Sequence, residues 1–247
     1  MSPLEALAIA GAGLVAGTIN TIVGSGSLVT FPTLLAFGFP AVVANVSNTV
    51  GLVPGSLSGA LAYRKELSGQ APRLRTLSAA AVAGGASGAG LLLALPGSVF
   101  RHVVPALILV ACALVVLQPR LARRTARREH PQRATGLIGT IFATSVYGGY
   151  FGAAQGVIYM SLLGIFVDDH LQRLNAAKNV IALVTNAVAA VVFVAFAHVS
   201  WEAAGVLAAG SVVGGQIGGK IGRRLPPRWL RVVIVAVGCT AAVVLLV

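Results

Sequence analysis

Residues 6 to 63 contain no Asp, Glu, Lys, Arg or His. A water-soluble domain cannot cover its surface with so long an uncharged stretch, whereas a helix crossing ~30 Å of hydrocarbon needs roughly 20 residues of this kind. The rest of the chain follows suit, with charged residues at 10% against 57% apolar. Long unbroken apolar runs also exclude a transmembrane β-barrel, whose strands alternate in segments of about ten residues. The sequence predicts an all-α polytopic protein of the cell membrane.

The formal net charge is +12, and its placement gives it meaning. Arg120, Arg123, Arg124, Arg127, Arg128 and Arg133 cluster between two apolar blocks, Arg64, Lys65, Arg73 and Arg75 form a second group, and Arg223, Arg224, Arg228 and Arg231 a third. Basic residues gathered in short loops mark cytoplasmic faces and meet anionic lipid, so membrane lipid is the expected partner and nucleic acid is not. Cys112 and Cys239 stand alone in separate apolar segments and read as packing residues. The N-terminus lacks a basic n-region, and its apolar run exceeds that of a signal peptide, so it is expected to be retained as a span.

Shifting the sequence by 130 residues aligns its halves without a gap. Gly84, Gly85 and Gly88 fall on Gly214, Gly215 and Gly218, Leu95-Pro96 on Leu225-Pro226, Asn45 on Asn175, and Gly26 on Gly156; twelve of the thirty-five positions from Leu77 to Ala111 are identical. This predicts a first repeat at 1–118, a basic cytoplasmic linker at 119–135 and a second repeat at 136–247. The basic loop 64–75 corresponds to 194–205, which has no Lys or Arg, and the turn 96–102 to the Arg-rich 223–231. Opposite loop charge at equivalent positions is the pattern of an inverted repeat.

Spans are predicted at 43–63, 76–95 and 100–118, and again at 175–197, 203–222 and 230–247. Each half opens with an apolar region, 4–40 or 136–167, too long for one crossing and short for two. Shortened helices meeting at mid-membrane are the preferred reading, with a full span plus a re-entrant hairpin as the alternative, for about eight full spans besides the broken helices. Four or five crossings per half both stay open.

The opening regions contain the breaks. Gly24-Ser25-Gly26-Ser27, with Asn20 before it, interrupts the first; Tyr147-Gly148-Gly149-Tyr150-Phe151-Gly152, followed by Gln155-Gly156, interrupts the second. Irregular backbone at membrane depth survives where protein or a wet cavity satisfies it. A helix restarting at Gly26 or Gly156 would offer unpaired N–H groups and a positive dipole end to an anion. Gly84, Gly88, Gly214 and Gly218 instead read as close-packing residues.

After each break comes a helix with polar residues near its start. Asn45, Asn48 and Thr49 share one helical face, as do Asn175, Lys178 and Asn179. Lys178 is the unusual member, because all six acids, Glu5, Glu66, Glu129, Asp168, Asp169 and Glu202, lie at or near the ends of apolar stretches. Two readings follow: the ammonium snorkels to the surface, or its partner is an anion from outside.

The stretches NTIVGSGSLVTFPTLLAFGFPAVVANVSNTVGLVPGSLSGALAYRKEL, YGGYFGAAQGVIYMSLLGIF and LNAAKNVIALVTNAVAAVVF resemble the sulfite exporter TauE/SafE family of membrane permeases, essentially along the whole chain. The resemblance implies a secondary transporter, an exporter, of small anions such as sulfite, organosulfonates, other organosulfur acids or carboxylates. It maps the family's glycine-rich segments onto Gly24 to Ser27 and Gly152 to Gly156, departing at Ser25 and at Ala153-Ala154-Gln155. With the residues themselves, this gives a substrate site of Asn20, Gly24, Ser25, Gly26, Ser27, Asn45, Asn48, Thr49, Tyr150, Gly152, Gln155, Gly156, Asn175, Lys178 and Asn179.

No cofactor and no resident metal are expected, though sodium binding to carbonyls at the unwound segments stays open, as do Lys178, Tyr147 and Tyr150 as proton carriers. An enzyme is disfavoured: His102, His130, His170 and His198 lie at segment ends, and Asp168-Asp169-His170 reads as a solvated loop rather than a metal site. A passive anion channel is the alternative function, and a homo-oligomer is compatible with either.

Overall fold

Local chemistry starts the first helix. The Ser2 hydroxyl accepts from the Glu5 N–H at 3.3 Å, the Glu5 carboxylate accepts from the Ser2 N–H at 2.9 Å, and Pro3 sits where an N–H would have no intrahelical acceptor. The computed structural model describes residues 1–125 and 134–222. Its helices are α1 (Pro3–Ile22), α2 (Ser27–Ala36), α3 (Ala41–Ala62), α4 (Ala71–Ala94), α5 (Gly97–Thr125), α6 (Ala134–Tyr150), α7 (Gln155–Phe166), α8 (Leu171–Phe196) and α9 (Trp201–Ile221), with no strand among the described residues.

Four described stretches are long and apolar enough to cross a membrane: α1, α4, Gly97–Leu117 of α5, and α8. Of the expected spans, 43–63 and 203–222 are not among them. The reason lies in composition, since α3 and α9 have the length, 22 and 21 residues, but their apolar runs are broken by polar and small residues. The expected span at 230–247, Cys239 and the third Arg cluster lie outside the described residues. α5 continues helical to Thr125, into the stretch expected as the basic linker.

Each opening region resolves into a longer and a shorter helix, of 20 and 10 residues in the first half and 17 and 12 in the second. Two shortened helices were expected, yet α1 has a full span's length. Only α2 and α7, ~15 and ~18 Å long at 1.5 Å per residue, are too short to cross alone.

Helix starts keep the 130-residue relation: Ala41 pairs with Leu171 and Ala71 with Trp201 (171 − 41 and 201 − 71). Packing keeps it too. α1 lies against α9 and α4 against α6, and the shift turns one pair into the other; α3 and α8 meet between them. Small residues make the approaches close, as expected for Gly84, Gly88, Gly214 and Gly218: a Cβ at any of them would overlap the backbone or a side chain of Phe142 to Val146, or of Leu14 to Thr21.

The breaks obey a different spacing. Gly24 (φ +90°) corresponds to Gly152 (φ +73°), 128 residues on. The main-chain bonding agrees, for Val23 and Gly24 N–H both donate to Ile19 O while Phe151 and Gly152 N–H both donate to Tyr147 O. The gapless alignment is therefore two residues out of step at the breaks, and α7, two residues longer than α2, restores it.

The apolar core beside the breaks is aromatic. Phe31 of α2 stands edge-on to Phe151 at 5.2 Å between ring centroids and to Phe100 of α5 at 6.4 Å, and Tyr150 tilts against Phe100 at 5.7 Å. A second cluster, Leu77, Tyr159, Leu163, Leu174 and Ile181, joins α4, α7 and α8.

Candidate functional site

The two breaks touch. Gly156 N–H donates to Gly24 O at 3.0 Å, and a Cβ on either glycine would overlap the backbone of the other. Two predicted anion-binding amides are therefore already used: Gly156 N–H by Gly24, and Gly26 N–H by the Asn20 side-chain oxygen at 2.6 Å. The N–H groups of Ser25, Ser27, Ala153 and Ala154 find no acceptor among the described residues. The unpaired amides lie one to three residues from the predicted ones, since Gly156 N–H is taken by Gly24 and Gly26 N–H by Asn20.

Lys178 does not reach the surface, and main-chain carbonyls hold it inside the protein. Its side chain is buried, 1% exposed, and Nζ donates to Asn20 O at 3.0 Å and to Thr21 O at 3.3 Å. These carbonyls belong to the last turn of α1, where oxygens lack intrahelical donors and the dipole is negative, so a cation is favoured there. Asn175 and Asn179 donate their side-chain amides to Thr21 O as well, at 3.2 and 3.3 Å. The predicted trio on α8 thus converges on the end of α1. An ammonium has three donors, and two are engaged. No carboxylate lies within ion-pairing distance of it among the described residues.

The trio on α3 divides. Asn45 reaches across to the other half, donating Nδ2 to Tyr150 O at 3.0 Å, whereas the Asn48 oxygen accepts from the Thr30 hydroxyl of α2 and Thr49 donates to Asn45 O in its own helix at 3.0 Å. Tyr150 contributes its carbonyl here, its ring being packed in the aromatic core. Gln155 donates to the Asn186 side chain at 2.6 Å. Three buried oxygens, Ser25 Oγ, Asn45 Oδ1 and Gln155 Oε1, have no partner among the described residues. Tyr147 gives its hydroxyl proton to Ala153 O at 2.6 Å, bracing the second break.

Several residues of this centre escaped the sequence reading. Asn186 follows Asn179 by seven residues, two helical turns, so its place on the polar stripe of α8 was legible. Thr21 acts through its main-chain oxygen and Thr30 through an apolar-looking helix, and neither leaves a sequence signal. A hydroxyl chain, Ser145 to Tyr159 at 2.8 Å and Tyr159 to Thr185 at 2.9 Å, ties α6, α7 and α8 together.

The Asp168-Asp169-His170 loop is not simply solvated. Asp169 accepts from Arg173 Nε at 2.8 Å and from Arg73 at 3.3 Å, while Arg173 also donates to Ser68 O at 3.0 Å and Gln70 donates to Arg173 O at 3.1 Å. This network joins the loop before α4 to the loop before α8. Partial burial alone would raise the Asp169 pKa; the His170 N–H, Arg173 and Arg73 outweigh it and hold the carboxyl below its ordinary range.

Two interrupted helical regions meet inside a multi-span helical body, with a polar centre where they touch. The profile of the family described as Sulfite exporter TauE/SafE matches residues 9–245, and the chain belongs to that family. It is 26% identical over 238 residues to the "Probable membrane transporter protein YfcA" of Escherichia coli, covering 94% of this chain and 86% of that one. A "Probable membrane transporter protein" of Haemophilus influenzae is 26% identical over 209 residues, 85% and 82% of the two chains. The "Probable membrane transporter protein ORF9" of Sinorhizobium sp is 25% identical over 245 residues, 95% and 90%. No solved structure matches.

Proposed function

We propose that the protein is a secondary transporter of small anions, working by alternating access between two inverted halves, and that it has no enzymatic activity. The observation that carries the reading is Lys178: a buried ammonium with no carboxylate partner leaves the centre electropositive, and a solute anion is the species that would neutralise it. Unused amides at Ser25, Ser27, Ala153 and Ala154 add donors on both sides of the crossing. The exchange of the α1–α9 and α4–α6 pairs under the shift supports two halves related by a two-fold axis, and the loop charges support its lying in the membrane plane.

The family description points to sulfite, and sulfonates and carboxylates share its charge and oxygen acceptors. Counterflow in proteoliposomes tests the reading. Labelled sulfite, sulfonate or carboxylate should accumulate transiently against the matching unlabelled anion trapped inside, and Lys178→Gln should shift that accumulation to much higher anion concentrations. Flux that shows neither saturation nor counterflow would mean a channel, and no anion flux at all would remove the proposal.

A further inference from the structure

Lys178 Nζ is held by the carbonyls of Asn20 and Thr21, and the corresponding positions of the other half hold no lysine. The 128-residue relation of the breaks carries Asn20 and Thr21 onto Gly148 and Gly149 (20 + 128, 21 + 128), in the last turn of α6. No donor among the described residues reaches either carbonyl, because Phe151 and Gly152 N–H both turn to Tyr147 O. The 130-residue relation of α3 and α8 sets Asn48 where Lys178 stands (178 − 130). Asn48 has no charge, and its oxygen is committed to the Thr30 hydroxyl.

At the same helix end, one residue after Gly149, the Tyr150 carbonyl holds a side chain whose oxygen needs a partner. Asn45 is 1% exposed, its Nδ2 binds Tyr150 O, and its Oδ1 is buried and unpaired among the described residues. Exchanging the ends of the amide would set oxygen against oxygen, so the Tyr150 carbonyl fixes its orientation. Gln155 Oε1, also buried and unpaired, lies against Gly148, where a Cβ would overlap it. A helix C-terminus with acceptors and no donor suits a cation.

We propose that the end of α6 binds a sodium ion through the Gly148 and Gly149 carbonyls and Asn45 Oδ1, in the place that the Lys178 ammonium fills at the end of α1. The ligand set is neutral, and no group of three or more His, Cys, Asp or Glu occurs among the described residues, which favours a hard monovalent ion over divalent or transition metals. The ion would supply by mass action what the other half carries covalently. This site goes beyond the anion reading and would exist whether or not an anion is carried.

The test uses the purified full chain in detergent with no transported anion present, so it can fail independently of counterflow. Thermal unfolding is followed in NaCl, KCl and choline chloride at constant ionic strength. Sodium should raise the midpoint saturably, by roughly 3 to 6 °C between trace and tenfold-saturating ion. Asn45→Ala should abolish that dependence, and Asn48→Lys, which tethers an ammonium at the position equivalent to Lys178, should make unfolding indifferent to sodium. Equal midpoints in the three salts would mean that water alone fills the site and would overturn the proposal, as would a sodium effect unchanged in Asn45→Ala. Should neither variant fold, radioactive sodium binding to the unaltered protein decides: saturable binding displaced by unlabelled sodium and not by choline supports the site, and its absence refutes it.

Discussion

The main-chain N–H of Gly156 donates to the carbonyl of Gly24 at 3.0 Å, so the two interrupted regions of the chain are joined backbone to backbone. Side chains at either position would prevent this contact. Gly24→Ala also forces φ of +90° on a residue with a Cβ, at a cost of about 1–3 kcal/mol before any steric overlap. Thermal unfolding in detergent should show that loss, and counterflow should fall to background. Gly90→Ala is the control. It lies in α4 with open space around it and should stabilise by up to about 1 kcal/mol.

Removing the Lys178 charge separates binding from folding. Lys178→Gln keeps an N–H donor group for the Asn20 and Thr21 carbonyls and deletes the positive charge. Half-saturation of counterflow should move to anion concentrations about thirtyfold higher or more, as loss of a buried charged partner costs about 2 kcal/mol or more. Unchanged half-saturation would show that the ammonium serves the α1 terminus alone.

The Asp169 network makes acid stability depend on one carboxylate. Its pKa is lower in the folded protein than the ordinary value, so its contribution is complete above about pH 4 and is lost as pH falls through the lower folded value. Asp169→Asn should therefore lower the unfolding midpoint at neutral pH and converge with the parent in strong acid. A pH series of unfolding midpoints would show the two curves meeting; parallel curves would contradict the assignment.

Gln155 and Asn186 form a buried pair at 2.6 Å. Asn186→Ala leaves Gln155, already unpaired at Oε1, without a partner at either end, which should cost about 1–3 kcal/mol of stability. Asn186→Ser, able to accept the same hydrogen bond through water, should recover part of it. Unfolding midpoints of the two variants measure the difference.

The polar stripe Asn175, Lys178 and Asn179, the breaks at Gly24 and Gly152, and the helices themselves were legible because each is a local property: helical spacing, conformational freedom, length of apolar run. The partners were not. Whether Lys178 meets lipid, solute or protein depends on where the end of α1 lies, 158 positions back along the chain, and main-chain carbonyls carry no sequence signature. The same holds for the two-residue step at the breaks, since identical residues align gaplessly while φ and hydrogen bonding align Gly24 with Gly152.

Composition and periodicity alone determined that this is a multi-span helical protein with two interrupted regions and one stranded cation, because burial in hydrocarbon constrains every residue along the run. Only the tertiary structure decided that glycines of opposite halves touch, that carbonyls cradle the ammonium, and that Asp169 links two loops. Those outcomes depend on distances between remote backbone segments, and packing sets them.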